Sequence, residues 1–216
     1  MQVGLIGAGN MARALARGWG EPVLCADPVA GRAAELAGEV GGEALDSNRA
    51  VAERADVEAA YPDTPVVRLM PNTAVEVRRG VVCYAAGDAV DADLDGRLRE
   101  LIGRLGTVVP VEDRLIDAAT GINGVAPAYV ALIVEAWSDA GVKAGLPAVL
   151  ATRMAIESAL GSLELLRARG EDTLAVRRAV TSPGGITARG LAALERAGVR
   201  AAFVDAMDAV TERARS

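Results

Sequence analysis

The sequence of 216 residues contains no histidine, and Lys143 is its only lysine. Mechanisms that depend on a Ser-His or Cys-His pair, or on a histidine metal ligand, are therefore excluded. A single lysine inside a helical pattern argues against a P-loop or a Schiff-base enzyme. Two cysteines are too few for a disulfide framework or a zinc site, so we expect no metal site and a reducing, cytoplasmic environment.

The charge and the hydrophobic pattern exclude further classes. With 29 acidic and 23 basic residues the net charge is −6, and a pI near 4.9 argues against nucleic-acid binding. No apolar run reaches the ~18 residues of a membrane span, and the first residues predict a strand without a basic leader. A chain that is 51% hydrophobic and 24% charged is typical of a globular protein with a sizeable core.

The two halves of the chain differ in their hydrophobic pattern. Up to about residue 110, short Val/Leu/Ile runs alternate with Ala/Arg-rich segments, which predicts strands alternating with helices. The predicted strands are 2–6, 22–25, 66–70, 80–85 and 107–111, with helices at 10–19 and 29–36. From about residue 117 the pattern is almost wholly helical. We predict an α/β fold with a shortened, Rossmann-like parallel sheet in residues 1–112 and an all-helical domain in residues 113–216.

A glycine-rich segment follows the first predicted strand and begins the first helix. Residues 7–12 read Gly-Ala-Gly-Asn-Met-Ala, the G-x-G-x-x-A pattern of dinucleotide-binding proteins. Gly7 permits a tight turn, and Gly9 lacks the Cβ that would keep a pyrophosphate from the helix N-terminus at Asn10 and Met11. Because glycine-rich turns recur in α/β proteins, a purely structural turn is the alternative.

Two charged residues bear on the choice of cofactor. Asp27 ends the second predicted strand ~18 residues beyond Gly9, near the offset of a ribose-binding carboxylate, where it would bind the 2′-hydroxyl of NAD and repel a 2′-phosphate. Arg32 is close enough in sequence to bind a 2′-phosphate, or it is a solvated helix residue. NADPH and NADH both stay open.

A turn between two amphipathic helices presents backbone amides and hydroxyls without any acid or base. It contains Ser182, Gly184, Gly185 and Thr187, and a helix follows. Unpaired amides at a helix N-terminus form a cradle for a carboxylate. The alternative is an ordinary helix-helix turn in which Thr187 is the N-cap.

These and other motifs resemble the pyrroline-5-carboxylate reductases, and the match runs nearly end to end. The most specific motif is the turn itself, Thr-Ser-Pro-Gly-Gly-Ile-Thr. The motifs are found at residues 5–12, 68–73, 117–118, 135–136, 139–142, 145–146, 181–187, 190–191 and 194–195.

The resemblance implies both a fold and a reaction. It implies a helical dimerisation domain in residues 113–216, a homodimer or a larger assembly of dimers, and reduction of 1-pyrroline-5-carboxylate to L-proline by NADPH or NADH. By the family's pattern, Ser182 and the amides of Gly184, Gly185 and Ile186 bind the substrate. Thr187 also binds it, with its hydroxyl as the catalytic group, and Asn72 lies near the nicotinamide.

The sequence departs from the family in two places. Val125 and Ala126 replace a serine and a glycine of the family's Gly-Ser-Gly-Pro-Ala-Tyr. After Val57, a strand-helix-strand unit of roughly 30 residues is absent. Since that strand would lie beside the first one, we expect an unpaired edge on the first strand, weak cofactor binding and a fragile N-terminal domain, unless another strand fills the place.

Two other functions stay as alternatives. One is a non-catalytic or weakly active member whose helical half mainly oligomerises, and the other is a reductase acting on a different imine or a β-hydroxyacid. Glu135, Asp139 and Lys143 recur at four-residue spacing, and we expect an exposed ridge with an Asp139–Lys143 pair. Cys25 and Cys83 are expected to be buried thiols.

Overall fold

A computed structural model describes residues 3–47, 50–51 and 65–214. The chain forms two compact units, Met1–Pro127 and Ala128–Ser216. The predicted domain boundary after residue 112 lies 15 residues before the end of the first unit at Pro127. The predicted boundary stays a prediction. The sequence around Val57, where a strand-helix-strand unit is expected to be absent, lies outside the described residues.

The first unit begins with a small parallel sheet in the order β1-β2-β3. In chain order its elements are β1 (Gly4–Ile6), α1 (Asn10–Trp19), β2 (Leu24–Ala26), α2 (Arg32–Val40) and β3 (Glu43–Ala44). Leu5 of β1 is in register with Cys25 of β2, and Cys25 is in register with Ala44 of β3. Both helices cover this sheet, and Leu36 of α2 is fully buried against it.

A second sheet follows, in the order β4-β5-β6. Its elements are β4 (Val67–Pro71), β5 (Gly80–Ala86), α3 (Ala92–Gly103) and β6 (Gly106–Pro110). β5 and β6 are parallel, as are β1, β2 and β3, but β4 is antiparallel to β5, so the predicted parallel arrangement does not extend to β4. The reason is the connection: a 3-10 turn, Thr73–Val77, joins β4 to β5, whereas parallel neighbours require a long crossover.

One hydrophobic cluster joins the two sheets. Val75, Val82, Tyr84 and Leu105 are buried in it, and Leu5 of β1 packs against them. Within the described residues β1 pairs only with β2, and β4 pairs only with β5. Each of these strands therefore has one edge without a described partner, and for β1 this agrees with the expectation from the sequence.

The remainder of the chain is helical. Its elements are α4 (Ile116–Ala119), a π-helical turn (Thr120–Gly124), α5 (Ala126–Lys143), α6 (Ala148–Ala168), α7 (Thr173–Ala179), α8 (Ile186–Arg196) and α9 (Val199–Ala214). Gly145, with φ +100°, ends α5 as its position after the helix predicts. The Asp172 side chain caps α7 by accepting from the Ala175 amide at 2.8 Å. The predicted class, a Rossmann-like sheet followed by a helical domain, is confirmed.

Many apolar side chains of the helical unit are exposed. Leu132 is 63% exposed, and Trp137, Leu160 and Phe203 are about half exposed. The helical stretch Asp113–Lys143 is also long and apolar enough, by length and composition alone, to cross a membrane, a test that helices of soluble proteins also pass. The expected Asp139–Lys143 ion pair is not formed within the described chain.

Candidate functional site

The glycine-rich turn connects β1 to α1 in the geometry of a phosphate loop. Gly7 has φ +93°, a left-handed conformation that favours glycine, and its N–H donates to the Ala26 carbonyl at 2.8 Å. Gly9 is the N-cap of α1, and a Cβ built there would meet no atom within 4 Å. The amides of Asn10 and Met11, in the first turn of the helix, have no intrahelical acceptor. Open space above free amides at a positive helix end suits a pyrophosphate.

Asp27 lies directly beside this loop. Its Oδ2 accepts from the Ala8 N–H at 2.7 Å, and its Oδ1 accepts from the Val29 N–H at 2.7 Å. These two backbone hydrogen bonds lower the pKa of the Asp27 carboxyl, the bond from Ala8 more than the bond from Val29, and the positive charge of Arg32 lowers it further. The carboxylate is therefore negative and held in place at the end of β2.

A cleft of about 740 Å³ opens next to the loop. Its lining includes Gly9, Arg13, Arg17, Arg32 and Glu76. The sequence analysis did not single out Arg13 or Arg17, although their four-residue spacing on α1 matches that of two glutamates on α2. Such spacing indicates facing charged rows and could have identified the pairs.

Two of these arginines are ion-paired. Arg13 pairs with Glu39 and, at 2.7 Å, with Glu35. Arg17 bridges Glu39 and Glu76, with both N–O distances at 2.8 Å. These pairs tie α1 to α2 and to the turn after β4, so they shape the cleft as well as neutralising its charge.

Asn72 is buried and already hydrogen-bonded. Its Nδ2 donates to Asn123 Oδ1 at 2.8 Å, and its Oδ1 accepts from the Val81 N–H at 3.3 Å. Asn123 Nδ2 in turn donates to the carbonyls of Met70 and Val81, at 2.9 and 3.0 Å. Asn72 is thus part of a clamp that joins β4, β5 and the π-helical turn, and its predicted place near a nicotinamide stays a prediction.

Asn123 is a residue that the sequence analysis missed. It is only 7% exposed, like Asn72, and its amide satisfies three partners in the first unit. The available signal was one amide side chain within the small, apolar segment Gly121–Gly124. Val125 and Ala126, the two departures from the family's pattern, come immediately after this turn, where α5 begins.

The second candidate site is the turn before α8, in the helical unit. The Gly185 N–H donates to the Ser182 carbonyl at 3.0 Å, which closes the turn, and Gly184 has φ +70°. Gly185 is the N-cap of α8, so the alternative in which Thr187 has that role is wrong. A Cβ at Gly185 would lie 2.4 Å from Ser182 Oγ, so the serine hydroxyl occupies the space that a side chain would need.

Donors of this turn are open to solvent. Ser182, Gly184 and Thr187 are exposed, and Ile186 is 93% exposed. The first α8 amide with an intrahelical acceptor is that of Arg189, which donates to the Gly185 carbonyl at 3.2 Å. The amides of Ile186 and Thr187 therefore remain available, together with the two hydroxyls, for a small anion.

Comparisons with known proteins agree with the motifs. Residues 113–216 match the family model described as pyrroline-5-carboxylate reductase dimerisation, and residues 2–58 match the one described as NADP oxidoreductase coenzyme F420-dependent. A pyrroline-5-carboxylate reductase from Synechocystis is 40% identical over 73% of this chain and 59% of its own length. One from Thermus thermophilus is 42% identical over 68% of this chain and 56% of its own. The chain thus spans under two thirds of the length of these relatives.

Solved structures have the same fold. A 1-pyrroline-5-carboxylate reductase from Streptococcus pyogenes superposes with a TM-score of 0.91 at 24% identity, covering 99% of this chain and 98% of its own. A pyrroline carboxylate reductase from Plasmodium falciparum with NADP bound gives 0.87 at 23% identity, covering 99% and 97%. The sequence relatives, the matched dimerisation domain and the motifs together show that the chain belongs to the pyrroline-5-carboxylate reductase family.

Proposed function

We propose that the chain reduces 1-pyrroline-5-carboxylate to L-proline with hydride from NADPH or NADH, the last step of proline biosynthesis. The observation that carries the proposal is the turn before α8, which offers unpaired amides and two hydroxyls but no acid or base. A protonated cyclic imine is already electrophilic, so its reduction requires orientation more than a strong side-chain acid. Orientation of this kind contributes on the order of 7–11 kcal/mol to lowering a barrier.

The cofactor part of the proposal rests on the first unit. When bound, the nicotinamide cofactor supplies the hydride. Gly7 and Gly9 leave room for the pyrophosphate, and the amides of Asn10 and Met11 donate to it. The Asn72 clamp holds the ends of β4 and β5 in place, and we propose that this edge lies near the nicotinamide.

The substrate part rests on the helical unit. We propose that Ser182 and the amides of Gly184, Ile186 and Thr187 hold the carboxylate of the substrate, while the Gly185 N–H keeps the turn closed by donating to the Ser182 carbonyl. The Thr187 hydroxyl makes no hydrogen bond within the described residues, so it is free to orient the ring nitrogen and its proton.

The matched dimerisation domain and the exposed apolar side chains of the helices support a homodimer or a larger assembly of dimers. The proposed partners are thus a second copy of the chain and a small acid, without nucleic acid or membrane, in the cytoplasm.

The test is turnover. The full chain should consume reduced nicotinamide when 1-pyrroline-5-carboxylate is added, measured by loss of cofactor absorbance. Thr187→Val, which removes the hydroxyl and keeps the shape, should lower kcat/KM by roughly tenfold or more. Thr173→Val, a matched change at the start of α7, should leave it unchanged. Cofactor binding without turnover in the unmodified chain would favour the non-catalytic alternative, which the comparisons do not favour.

A further inference from the structure

The Asp27 carboxylate is fixed beside the phosphate loop. Each of its oxygens accepts a backbone N–H at 2.7 Å, one from Ala8 inside the loop and one from Val29 in the turn after β2. To move away from a ligand on the loop, the side chain would have to break both hydrogen bonds. The charge at the end of β2 is therefore held beside the loop and does not depend on the choice of rotamer.

The cleft offers little positive charge to a second anionic group. Arg13 and Arg17 are both engaged, sharing Glu39 and each pairing with one further glutamate. Around the loop, the described acids in this set are Asp27, Glu35, Glu39 and Glu76, and the described bases are Arg13, Arg17 and Arg32. Of these, the three arginines, Glu35 and Glu76 line the cleft, and Glu39 and Asp27 lie next to it in the part of the chain that the structure describes. The positive charge of the lining is thus largely balanced by carboxylates.

Arg32 is the remaining cation. It begins α2, it is exposed, and within the described ranges it forms no ion pair or side-chain hydrogen bond. Its electrostatic influence reaches the Asp27 carboxylate. A phosphate drawn to Arg32 would therefore approach the fixed negative charge of Asp27 as well.

We propose that Asp27 makes the chain selective for NADH over NADPH, by accepting a hydrogen bond from the adenosine 2′-hydroxyl and repelling a 2′-phosphate. This inference rests on the proposed function, because it requires a dinucleotide on the phosphate loop. A 2′-phosphate brings a charge of about −1.5 to −2, and the cleft supplies no unpaired cation apart from Arg32 among the described residues. In dinucleotide-binding domains, an acidic residue at the end of the second strand hydrogen-bonds the ribose 2′-hydroxyl of NAD. The NADP-bound relative from Plasmodium falciparum shares the fold of this chain but only 23% of its residues.

The experiment is equilibrium titration of the full chain with NADH and with NADPH, followed by cofactor fluorescence and without any substrate. NADH should bind at least about tenfold more tightly, and the ratio should shrink at high salt because ions screen the repulsion. Equal binding, or tighter binding of NADPH, would overturn the inference and leave the proposed reductase intact. Binding of neither cofactor would overturn both. Selective NADH binding without turnover would overturn the proposed reductase activity and leave the proposed selectivity intact.

Variants test the role of the carboxylate itself. Asp27→Asn keeps an acceptor oxygen for the loop but removes the charge, and it should bring the two dissociation constants within about threefold of each other. Asp91→Ser, which removes an acid that caps α3 through the Leu94 amide, is the matched control and should leave the ratio unchanged. If Asp27→Asn melts at the same temperature as the unmodified chain and retains its NADH selectivity, Asp27 is not the determinant.

Discussion

At Gly185 the absence of a side chain has a direct steric reason. A methyl group there would lie 2.4 Å from Ser182 Oγ, closer than real Cβ contacts, so the serine hydroxyl would have to rotate away from its present position. We predict that Gly185→Ala raises the KM for 1-pyrroline-5-carboxylate roughly tenfold or more, measured by steady-state kinetics.

The matched control for Gly185→Ala is Gly96→Ala. Gly96 lies on the exposed face of α3, where a Cβ meets no atom within 4 Å, so alanine should stabilise the helix by about 1 kcal/mol and leave the KM unchanged. An unaltered KM in a folded Gly185→Ala protein would contradict the assignment of this turn to substrate binding.

The buried side chain of Tyr84 makes the free energy of unfolding depend on pH. It is 1% exposed on β5, and burial, with the Asp95 carboxylate nearby, raises the pKa of its hydroxyl to about 12. In the unfolded chain this hydroxyl loses its proton near pH 10, so between pH 10 and 12 the unfolded state binds fewer protons. The free energy of unfolding should therefore fall as the pH rises through this range. Below it, the contribution of the Tyr84 hydroxyl to stability should be fully present.

Tyr84→Phe removes that titration. Denaturant unfolding of the variant should show a weaker decline between pH 10 and 12 than the unmodified chain. Tyr129→Phe, at a tyrosine on α5, is the matched control and should keep the decline. Identical pH profiles for Tyr84→Phe and the unmodified chain would show that the Tyr84 hydroxyl does not carry the effect.

Asn72 and Asn123 show what local sequence does not reveal about single residues. Asn72 was identified because it belongs to a family motif. Its side chain donates to Asn123, 51 positions later, and accepts from the Val81 N–H on β5. No local pattern encodes this contact, because it exists only when β4, β5 and the π-helical turn meet.

At the scale of the elements, the alternation of apolar runs with Ala/Arg-rich segments predicted most strands and helices to within a few residues. It could not predict the direction of β4. The predicted strand at 66–70 appears as Val67–Pro71, and the short turn after it reverses the chain, so that β4 runs antiparallel to β5. Strand direction depends on the length and path of a connection, which hydrophobic alternation does not encode.

The unpaired edge of β1 has a measurable consequence. β1 has one strand partner among the described residues, whereas β5 lies between two. We predict that amides of β1 exchange with deuterium roughly tenfold faster or more than those of β5, measured by mass spectrometry on the native chain. Comparable protection in both strands would mean that another segment or another copy pairs with β1.

Across the whole molecule, the exposed apolar side chains of the helical unit are the feature that points to a second protein chain as a partner. Leu132 on α5 is 63% exposed, and the matched family model concerns dimerisation. We predict that Leu132→Glu weakens the proposed dimer and shifts the chain toward the monomer, measured by light scattering after gel filtration. Since burying a carboxylate in an interface is costly, the shift should appear at micromolar concentrations.

The control for this variant lies in the first unit. Val77 is 69% exposed in the 3-10 turn, so Val77→Glu introduces the same charge at an exposed apolar site outside the helical unit. Its mass in solution should equal that of the unmodified chain. A dimer that resists Leu132→Glu would place the interface on another helical face.

The sequence by itself determined the class of the fold, the glycine-rich turn and the family. These depend on short-range features: glycine where backbone must turn, apolar periodicity, and the motif around residues 181–187. Only the tertiary structure decided that Asp27 is held by the Ala8 amide, that Arg13 and Arg17 are neutralised by glutamates of other elements, and that β4 runs antiparallel. Each of these is a contact between segments distant along the chain, and its geometry is set by packing that no local pattern specifies.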